Sequence, residues 1–238
     1  RFSMAEAFLD HPSGWKVITL EPNRGSGYIE RVESGGTPST TVDEYWDGET
    51  PWLTPKEITR GNGALYVSAT ERNITEQGVQ ASAAKLMPVG TVMLSKRAPV
   101  GAVAISTVPM CTNQGFLNFI CGEKLLPTYL AYWLVANKRY LDAVANGSTY
   151  PELYKGDLFE FEMAVPPIEQ QKKILRTISS AKQLALCLDA TSHSAIEVAD
   201  VLKLQNLRDR RARARGCNPH QPTLWWRRRE GHPGQFPG

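Results

Sequence analysis

The 238-residue chain has few cysteines and histidines, the side chains on which disulfides, zinc sites and many nucleophilic sites depend. None of its four cysteines shows the C-x-x-C spacing of a zinc or redox site. Such sparse cysteine usage is typical of a protein of the reduced cytoplasm. Three of its four histidines lie at position 193 or later, so the sequence does not indicate a Ser-His-Asp arrangement.

Several catalytic signatures are also absent. The chain has no G-x-x-x-x-G-K-[ST] loop for a nucleotide triphosphate and no D-x-K or E-x-K triplet of the commonest metal-dependent nuclease core. It also lacks the glycine-rich cofactor loop and the Asn- or Asp-Pro-Pro-aromatic motif that methyl transfer to a base amine needs. We therefore predict that the chain binds a partner without catalysing a reaction, and we expect no cofactor or metal on it.

Long apolar runs and a strong charge of one sign are missing as well. No segment of eighteen apolar residues and no secretory signal occurs, which argues against a membrane protein. The net charge is +3, but residues 1–202 carry eighteen basic against twenty-two acidic residues. Bulk charge therefore gives no argument for a nucleic-acid partner, and such an argument must come from local groups.

Short apolar segments bounded by Gly and Pro run through the first 165 residues and indicate strands. The predicted strands are 15–20, 65–68, 91–95, 101–107, 115–121 and 158–165. A helix is predicted from Pro127, where a missing N–H is tolerated, to Gly147, and a helical turn at 75–78 ended by its glycine. Residues 1–165 are thus predicted to form one α+β (mixed α/β) domain of many short strands with a few helices.

A long helix is predicted next, within residues 166–208, because residues 168–207 contain neither Gly nor Pro. Its length would be roughly 60 Å. Apolar and small residues recur along it at alternating steps of four and three, which is the heptad pattern of a coiled coil. This seam consists of Ile174, Ile178, Ala181, Ala185, Leu188, Ser192, Ala195, Ala199 and Leu202. The seam predicts a partner helix; the alternative is that the helix packs on its own domain.

Residues 209–238 are rich in Arg, Pro and Gly and have no periodicity, so we predict a basic disordered tail. Such a tail could bind DNA phosphates without sequence preference. It could equally be the product of a frameshift, since its composition has nothing in common with the preceding helix.

The most informative stretch is 95–119, which is predicted as a polar loop, a strand, a turn and a second strand. Lys96 and Arg97 lie on the loop between two strands, and Asn113 and Gln114 directly precede the last strand. Arg and Lys suit guanine edges and Asn and Gln suit adenine edges. The alternative is that Arg97 makes a surface salt bridge and that the Asn-Gln pair only satisfies loop backbone.

A second loop begins with Gly35 and Gly36, whose lack of side chains lets the backbone approach a neighbour closely. The hydroxyls of Thr37, Ser39 and Thr40 follow. The loop is either a simple tight turn or a segment that contacts DNA phosphates.

Three segments together carry a resemblance to a known family. They are 95–119, Gly-Gly-Thr-Pro-Ser at 35–39 and Gly-Ser-Thr-Tyr-Pro at 147–151. In this order they resemble the target-recognition domain of type I restriction-modification specificity subunits, and the resemblance covers residues 15–207. At Tyr150 the family usually has a glutamine.

The resemblance implies which residues contact DNA. It extends the candidates of the two loops to Ser95, to Lys56 and Arg60 in the segment after Pro55, and to the loop at 148–150. The full predicted set is Thr37, Ser39, Thr40, Lys56, Arg60, Ser95, Lys96, Arg97, Asn113, Gln114, Ser148, Thr149 and Tyr150.

The resemblance also implies a function and partners. The chain would direct adenine methylation and DNA cleavage by a separate methyltransferase subunit and a restriction subunit, so S-adenosylmethionine, ATP and Mg are expected on those partners only. In the family two recognition domains are joined by two antiparallel helices. One domain and one helix therefore imply a homodimer or pairing with a second half-subunit, and a palindromic, two-part target. The alternatives are a truncated, non-functional remnant and a coiled-coil scaffold that does not bind DNA.

Overall fold

The structure is a computed structural model, and it describes residues 14–60, 64–145 and 152–189. Ten strands and six α-helices lie in these ranges. The strands are β1 (Lys16–Thr19), β2 (Ile29–Ser34), β3 (Trp46–Leu53), β4 (Tyr66–Val67), β5 (Asn73–Ile74), β6 (Val92–Ser95), β7 (Val103–Ser106), β8 (Cys111–Thr112), β9 (Phe116–Cys121) and β10 (Glu162–Val165). The helices are α1 (Pro55–Arg60), α2 (Glu76–Gln80), α3 (Pro127–Ala136), α4 (Lys138–Val144), α5 (Lys155–Phe159) and α6 (Ile168–Asp189), and a 3-10 turn spans Asp43–Tyr45. The predicted α+β class is confirmed.

The central element is a five-stranded sheet with the order β2-β9-β6-β7-β4. Its pairs are antiparallel except for β4 with β7, which is parallel. Strands β6 and β7 are buried along their whole length, as expected for the middle of a sheet covered on both faces. This sheet confirms the strands predicted at 65–68, 91–95, 101–107 and 115–121.

Two smaller sheets accompany it. Strand β1 pairs with β10 in an antiparallel ribbon, with Lys16 opposite Val165. Strand β3 is the centre of a three-stranded sheet with β5 on one side and β8, in parallel, on the other. The order along the chain therefore differs from the order in space, and strands that are distant in sequence become neighbours.

Apolar side chains fill both faces of the five-stranded sheet. The larger cluster includes Leu94, Phe119, Leu130 and Leu134, so helix α3 covers one face of the sheet. On the opposite face Met93 and Phe116 pack with Leu53 and with Ile58 of helix α1. Because adjacent residues of a strand point to opposite faces, β6 contributes to both clusters.

The single helix predicted from Pro127 to Gly147 is two helices in the described residues. Asn137 lies between α3 and α4 with φ −96° and ψ 11°, and its side-chain amide donates to the Trp133 carbonyl at 2.8 Å. Asparagine competes for backbone partners in this way, which favours a break. The apolar stripe continues through the break, since Trp133 and Leu141 are both buried.

Two further local predictions were wrong. The strand predicted at 158–165 begins only at Glu162, because Leu158 ends up buried at the end of the short helix α5. The turn at 75–78 does not end at Gly78. Thr75 caps helix α2 by accepting a hydrogen bond from the Gly78 N–H, and the helix continues to Gln80.

Helix α6 begins at Ile168, directly after Pro166 and Pro167, as predicted. The seam residues Ile174 and Ile178 are partly buried against the larger core cluster of the domain, whereas Ala181 is exposed. The first turns of the helix therefore pack on their own domain, as the alternative in the sequence analysis expected. The seam positions from 192 onward lie outside the described residues.

The described residues 14–183 belong to one compact unit, which includes the start of α6. Residues 184–189, the end of that helix, belong to a second unit. None of the helices in these ranges combines the length and the apolar character that crossing a lipid bilayer requires. The tail predicted at 209–238 lies outside the described residues.

Candidate nucleic-acid interface

One edge of the five-stranded sheet brings the predicted loops together. Ser34 at the end of β2 pairs with Leu117, and Ser95 at the end of β6 pairs with Phe116. The loop after β2, the loop after β6 and the turn before β9 therefore leave the sheet at the same edge. We refer to the segments 35–41, 96–99 and 113–115 as the recognition edge.

The glycine pair allows the first of these segments to lie directly on the last. The Gly36 N–H donates to the Thr112 carbonyl at 2.9 Å. A Cβ atom at Gly35 would overlap the carbonyl oxygens of Thr112 and Asn113, and one at Gly36 would overlap the backbone at Ala83. Only glycine fits this approach, which explains the Gly-Gly motif noted in the sequence.

Two tryptophans hold the 35–41 segment from beneath. The Trp52 indole donates to the Gly36 carbonyl at 2.9 Å, and the Trp46 indole donates to the Ser39 carbonyl at 3.0 Å. The two rings are nearly perpendicular, with centroids 5.1 Å apart. The Arg72 guanidinium lies over the Trp46 ring, 3.5 Å from its centroid. No local pattern in the sequence marks Arg72, because its stacking partner Trp46 lies 26 residues away.

Gln114 is the exposed amide of the recognition edge. Its carbonyl oxygen accepts a short hydrogen bond from the Thr37 hydroxyl, which ties the first segment to the third. The neighbouring Asn113 is partly buried, and its side-chain oxygen accepts a hydrogen bond from the Gly115 N–H at 2.8 Å. Asn113 therefore stabilises the turn, as the alternative interpretation expected, while Gln114 stays at the surface.

Lys96 and Arg97 share a carboxylate. Lys96 Nζ lies 2.8 Å from one oxygen of Glu152, and Arg97 Nε lies 3.2 Å from the other. The Lys96 side chain is 19% exposed and that of Arg97 is 50% exposed. Hydrogen bonds from the two cations hold the pKa of Glu152 below its ordinary value, so the carboxylate stays ionised. Arg97 thus has the ion pair of the alternative interpretation and remains half exposed.

Glu152 was missed by the sequence analysis. It lies 55 residues from Arg97 and 56 from Lys96, and no spacing rule links a loop to a segment at that distance. The backbone supports the contact, because the Leu153 N–H donates to the Lys96 carbonyl at 2.8 Å. The Lys96 N–H in turn donates to the Gly115 carbonyl at 2.8 Å, so the second segment is held between the third segment and residue 153.

Ser95 lies beneath the recognition edge. It is fully buried, and its hydroxyl lies within hydrogen-bonding distance of the Arg97 carbonyl (2.7 Å) and the Pro99 carbonyl (2.6 Å). The predicted contact residue therefore supports the loop from inside.

Helix α1 places Lys56 next to the recognition edge. Asn113 N–H donates to the Leu53 carbonyl at 3.0 Å, and Pro55 packs against Gly115. Glu57 accepts hydrogen bonds from the Thr54 N–H (2.8 Å) and hydroxyl (2.7 Å), as in a capping box, so the helix start is fixed. Lys56 is exposed.

The remaining predicted residues divide into three groups. Arg60, at the other end of α1, is exposed and pairs with Glu71 at 3.0 Å. Ser39 and Thr40 are exposed on the 35–41 segment. The segment that contains Ser148, Thr149 and Tyr150 lies outside the described residues.

The described residues offer little for covalent or metal chemistry. They contain no group of three or more His, Cys, Asp or Glu side chains close enough to hold a metal ion. Burial raises the pKa of Cys111 to about 11, so its thiol is protonated at neutral pH and is a poor nucleophile. What the recognition edge presents is a set of hydrogen-bond donors and cations on short, well-anchored loops.

Such an edge on an α+β domain followed by a long helix defines a class of fold that solved structures share. The HsdS subunit from Thermoanaerobacter tengcongensis superposes with a TM-score of 0.60 at 21% identity, over 85% of this chain and 46% of that one. A chain from a structure of a type I R-M system gives a TM-score of 0.61 at 21% identity, over 86% and 47%. These likenesses concern the fold.

Residues 12–197 match the family model of the type I restriction modification DNA specificity domain, and the chain belongs to this family. A similar curated protein is the type I restriction enzyme MjaIX specificity subunit of Methanocaldococcus jannaschii, which is 40% identical over 171 residues, 71% of this chain and 38% of the relative. The EcoR124I/EcoR124II specificity subunit of Escherichia coli is 29% identical over 179 residues, 72% and 41% of the two chains. The chain thus spans less than half the length of these relatives.

Proposed function

We propose that the chain binds DNA in a sequence-specific manner as part of a type I restriction-modification specificity subunit, and that partner subunits carry out adenine methylation and cleavage. The observation that carries the proposal is the recognition edge, where Gln114 and Arg97 are exposed on loops of a sheet that is buried on both faces, with Lys56 exposed on the adjacent helix α1. Family membership supports the same function.

The chemistry of each exposed group suits a different part of a duplex. Thr37 donates to one lone pair of the Gln114 carbonyl oxygen, and the Gln114 amide nitrogen suits an acceptor such as a purine N7 or a thymine O4. Glu152 engages Arg97 through Nε, so the terminal guanidinium nitrogens are left for the O6 and N7 acceptors of guanine. Lys56 and the hydroxyls of Ser39 and Thr40 suit phosphates, which position the protein without reading sequence.

The partners are part of the proposal. An adenine methyltransferase subunit would bring S-adenosylmethionine, and a restriction subunit would bring ATP and Mg. Helix α6 would pair with a like helix, from a second copy or a second specificity domain, through the seam predicted in the sequence. Two recognition edges held apart by paired helices would read a two-part target. The reactions would take place in the cytoplasm.

The proposal predicts the effect of removing the two clustered cations. The double variant K96Q/R97Q should bind its selected target about tenfold more weakly, the size of one lost base contact, and random duplex only a few-fold more weakly. The target is first selected from a random duplex library, with the methyltransferase subunit present, and affinities are then measured by gel retardation.

A matched control is the double variant K172Q/K173Q on helix α6, which removes the same charge from an exposed lysine pair. It should leave the ratio of target to random affinity unchanged. Equal weakening of target and random binding by K96Q/R97Q would reduce Lys96 and Arg97 to phosphate contacts.

The same preparation separates the two competing functions. If no complex with the methyltransferase subunit forms by size-exclusion chromatography, the chain is an inactive remnant. If the complex forms but retards no duplex, the chain is a scaffold. Sequencing of methylated adenines in cells that express both subunits gives the target independently.

A further inference from the structure

Glu152 makes the only contacts between a carboxylate and the two cations of the recognition edge among the described residues. Its two oxygens are divided between Lys96 Nζ, at 2.8 Å, and Arg97 Nε, at 3.2 Å. The Glu152 side chain is 21% exposed. The backbone fixes its position, because Arg97 and Glu152 form an antiparallel bridge and Leu153 donates to the Lys96 carbonyl.

We propose that Glu152 is a positioning residue that sets DNA sequence specificity, by orienting Arg97 toward base edges and by keeping Lys96 from phosphates. This inference rests on the proposed function. It concerns how the site discriminates among sequences and not whether the chain binds DNA.

The orientation of Arg97 is set by the guanidinium nitrogen that Glu152 contacts. The pair uses Nε, so the guanidinium plane is held while the two terminal nitrogens can still donate in parallel. An arginine that is already held loses less side-chain entropy when it binds, which benefits a contact of defined geometry most. A mobile arginine would bind phosphates and bases with less discrimination.

Glu152 keeps Lys96 from phosphates because it carries the opposite charge and because the Lys96 side chain is partly buried. Lys96 is the less exposed of the two cations, and its ammonium lies at ion-pair distance from Glu152. The three side chains together carry one positive charge, and without the carboxylate they would carry two. Non-specific binding increases with the number of phosphates that cations neutralise, so the carboxylate lowers affinity for random duplex.

The isosteric variant E152Q tests the proposal because it removes the charge and retains the shape. We expect affinity for random duplex to rise several-fold, and the ratio of target to random affinity to fall on the order of tenfold, as for one lost base contact. We also expect the slope of log affinity against log salt to steepen by roughly one, because Lys96 gains access to a phosphate. A merely structural residue would not change that slope.

The control is E169Q on helix α6, where Glu169 pairs with Lys172 at 2.7 Å. It removes an equally close partner of a lysine away from the recognition edge and should change neither the affinity ratio nor the salt slope.

Two outcomes would overturn the proposal. If E152Q weakens target and random binding in parallel, Glu152 only holds the two loops together. If it strengthens both in parallel, the carboxylate acts only as a repulsive charge. A wild-type chain that prefers no sequence in the library selection would instead contradict the proposed function.

A second variant keeps the test decisive if E152Q folds poorly. R97K retains the charge and lacks the planar fork, so it should itself lower the affinity ratio. In an R97K background, adding E152D, which keeps the carboxylate and shortens its reach, should lower the ratio by a smaller factor than E152D does alone, because only the effect through Lys96 remains. Independent effects of the two substitutions would contradict action through Arg97.

Discussion

Ser95 shows how a buried hydroxyl can shape a surface that it does not reach. Its hydroxyl lies within hydrogen-bonding distance of the Arg97 and Pro99 carbonyls and has one hydrogen to share between them, so it closes the loop that carries the two cations. The Ser95 backbone closes the same loop, since its N–H donates to the Ala102 carbonyl at 2.8 Å. The orientation of Arg97 therefore depends on a residue that has no exposed surface.

Substituting Ser95 should cost stability. In S95A the Arg97 and Pro99 carbonyls lose their shared donor, and we expect the free energy of unfolding to fall by about 1–3 kcal/mol, the range for a buried group left without its partner. Urea denaturation followed by tryptophan fluorescence measures the change. S39A, at an exposed serine whose hydroxyl bonds only within its own loop, should cost less. Equal losses in the two variants would contradict the supporting role of Ser95.

At the residue scale the sequence predicted which side-chain types meet, but not which of them face outward. Asn113 and Gln114 are adjacent and chemically alike, yet one closes a turn and the other is exposed. That difference arises from the Gly115 N–H and the Thr37 hydroxyl, which are positioned by the tertiary fold. Glu152 could not be predicted for the same reason, because its partners come from a strand loop more than fifty residues earlier.

Helix α6 is anchored at its first turn by one buried amide. Gln171 is fully buried on an otherwise polar stretch of the helix. Its side-chain oxygen accepts the Leu126 N–H at 2.9 Å, and its nitrogen donates to the Lys124 and Pro166 carbonyls, each at 2.8 Å. All three bonds cross from the helix to the loops that lead into α3 and out of β10, so they fix the direction in which α6 starts.

Removing this anchor should loosen the helix. In Q171A three backbone groups lose their partner, and we expect a loss on the order of 2 kcal/mol or more in the free energy of unfolding. Amide hydrogen exchange should become faster at 168–176 than in the strands of the central sheet. The neighbouring exposed residue gives the control, Q170A, which should have a smaller effect. Unchanged exchange at 168–176 in Q171A would show that apolar packing of Ile174 and Leu175 alone positions the helix.

At the scale of elements, apolar periodicity located the central strands and the start of α6 and failed at helix boundaries. The stripe through Trp133 and Leu141 is continuous, so periodicity alone gave one helix where Asn137 makes two. Leu158 was assigned to a strand because its apolar neighbours alternate, whereas in the fold they close a short helix.

The order of the strands could not be predicted from the sequence. Strand β9 pairs with β2, which lies more than eighty residues earlier, and β4 and β8 pair in parallel with strands from other parts of the chain. These pairings decide which loops become neighbours, and no local pattern encodes them. The fold class followed from the residue patterns, whereas the resemblance to a family extended the candidate site beyond the loops at 35–40 and 96–114, and that site stays a prediction.

For the whole molecule, pairing through α6 remains a prediction. The heptad pattern places Leu188 on the seam and Leu184 off it, and Leu184 is 63% exposed in the described helix. If like helices pair, L188D should lower the dimer fraction in sedimentation velocity at least tenfold, because a carboxylate would be buried in the seam. L184D should leave the dimer fraction unchanged. Equal sedimentation of both variants and the wild type would contradict pairing through this seam.

The segments of the recognition edge are held largely through main-chain atoms. Lys96 bonds Gly115 between two of the segments, and bonds from Gly36 to Thr112, Asn113 to Leu53 and Leu153 to Lys96 hold the segments to their neighbours. Peptide groups offer the same donors and acceptors whatever side chain they carry. The edge can therefore exchange its exposed side chains, such as those at 97 and 114, while the scaffold that supports them is preserved. A fold of this kind can change its binding preference through substitutions at a few exposed positions, and each intermediate sequence keeps the folded scaffold.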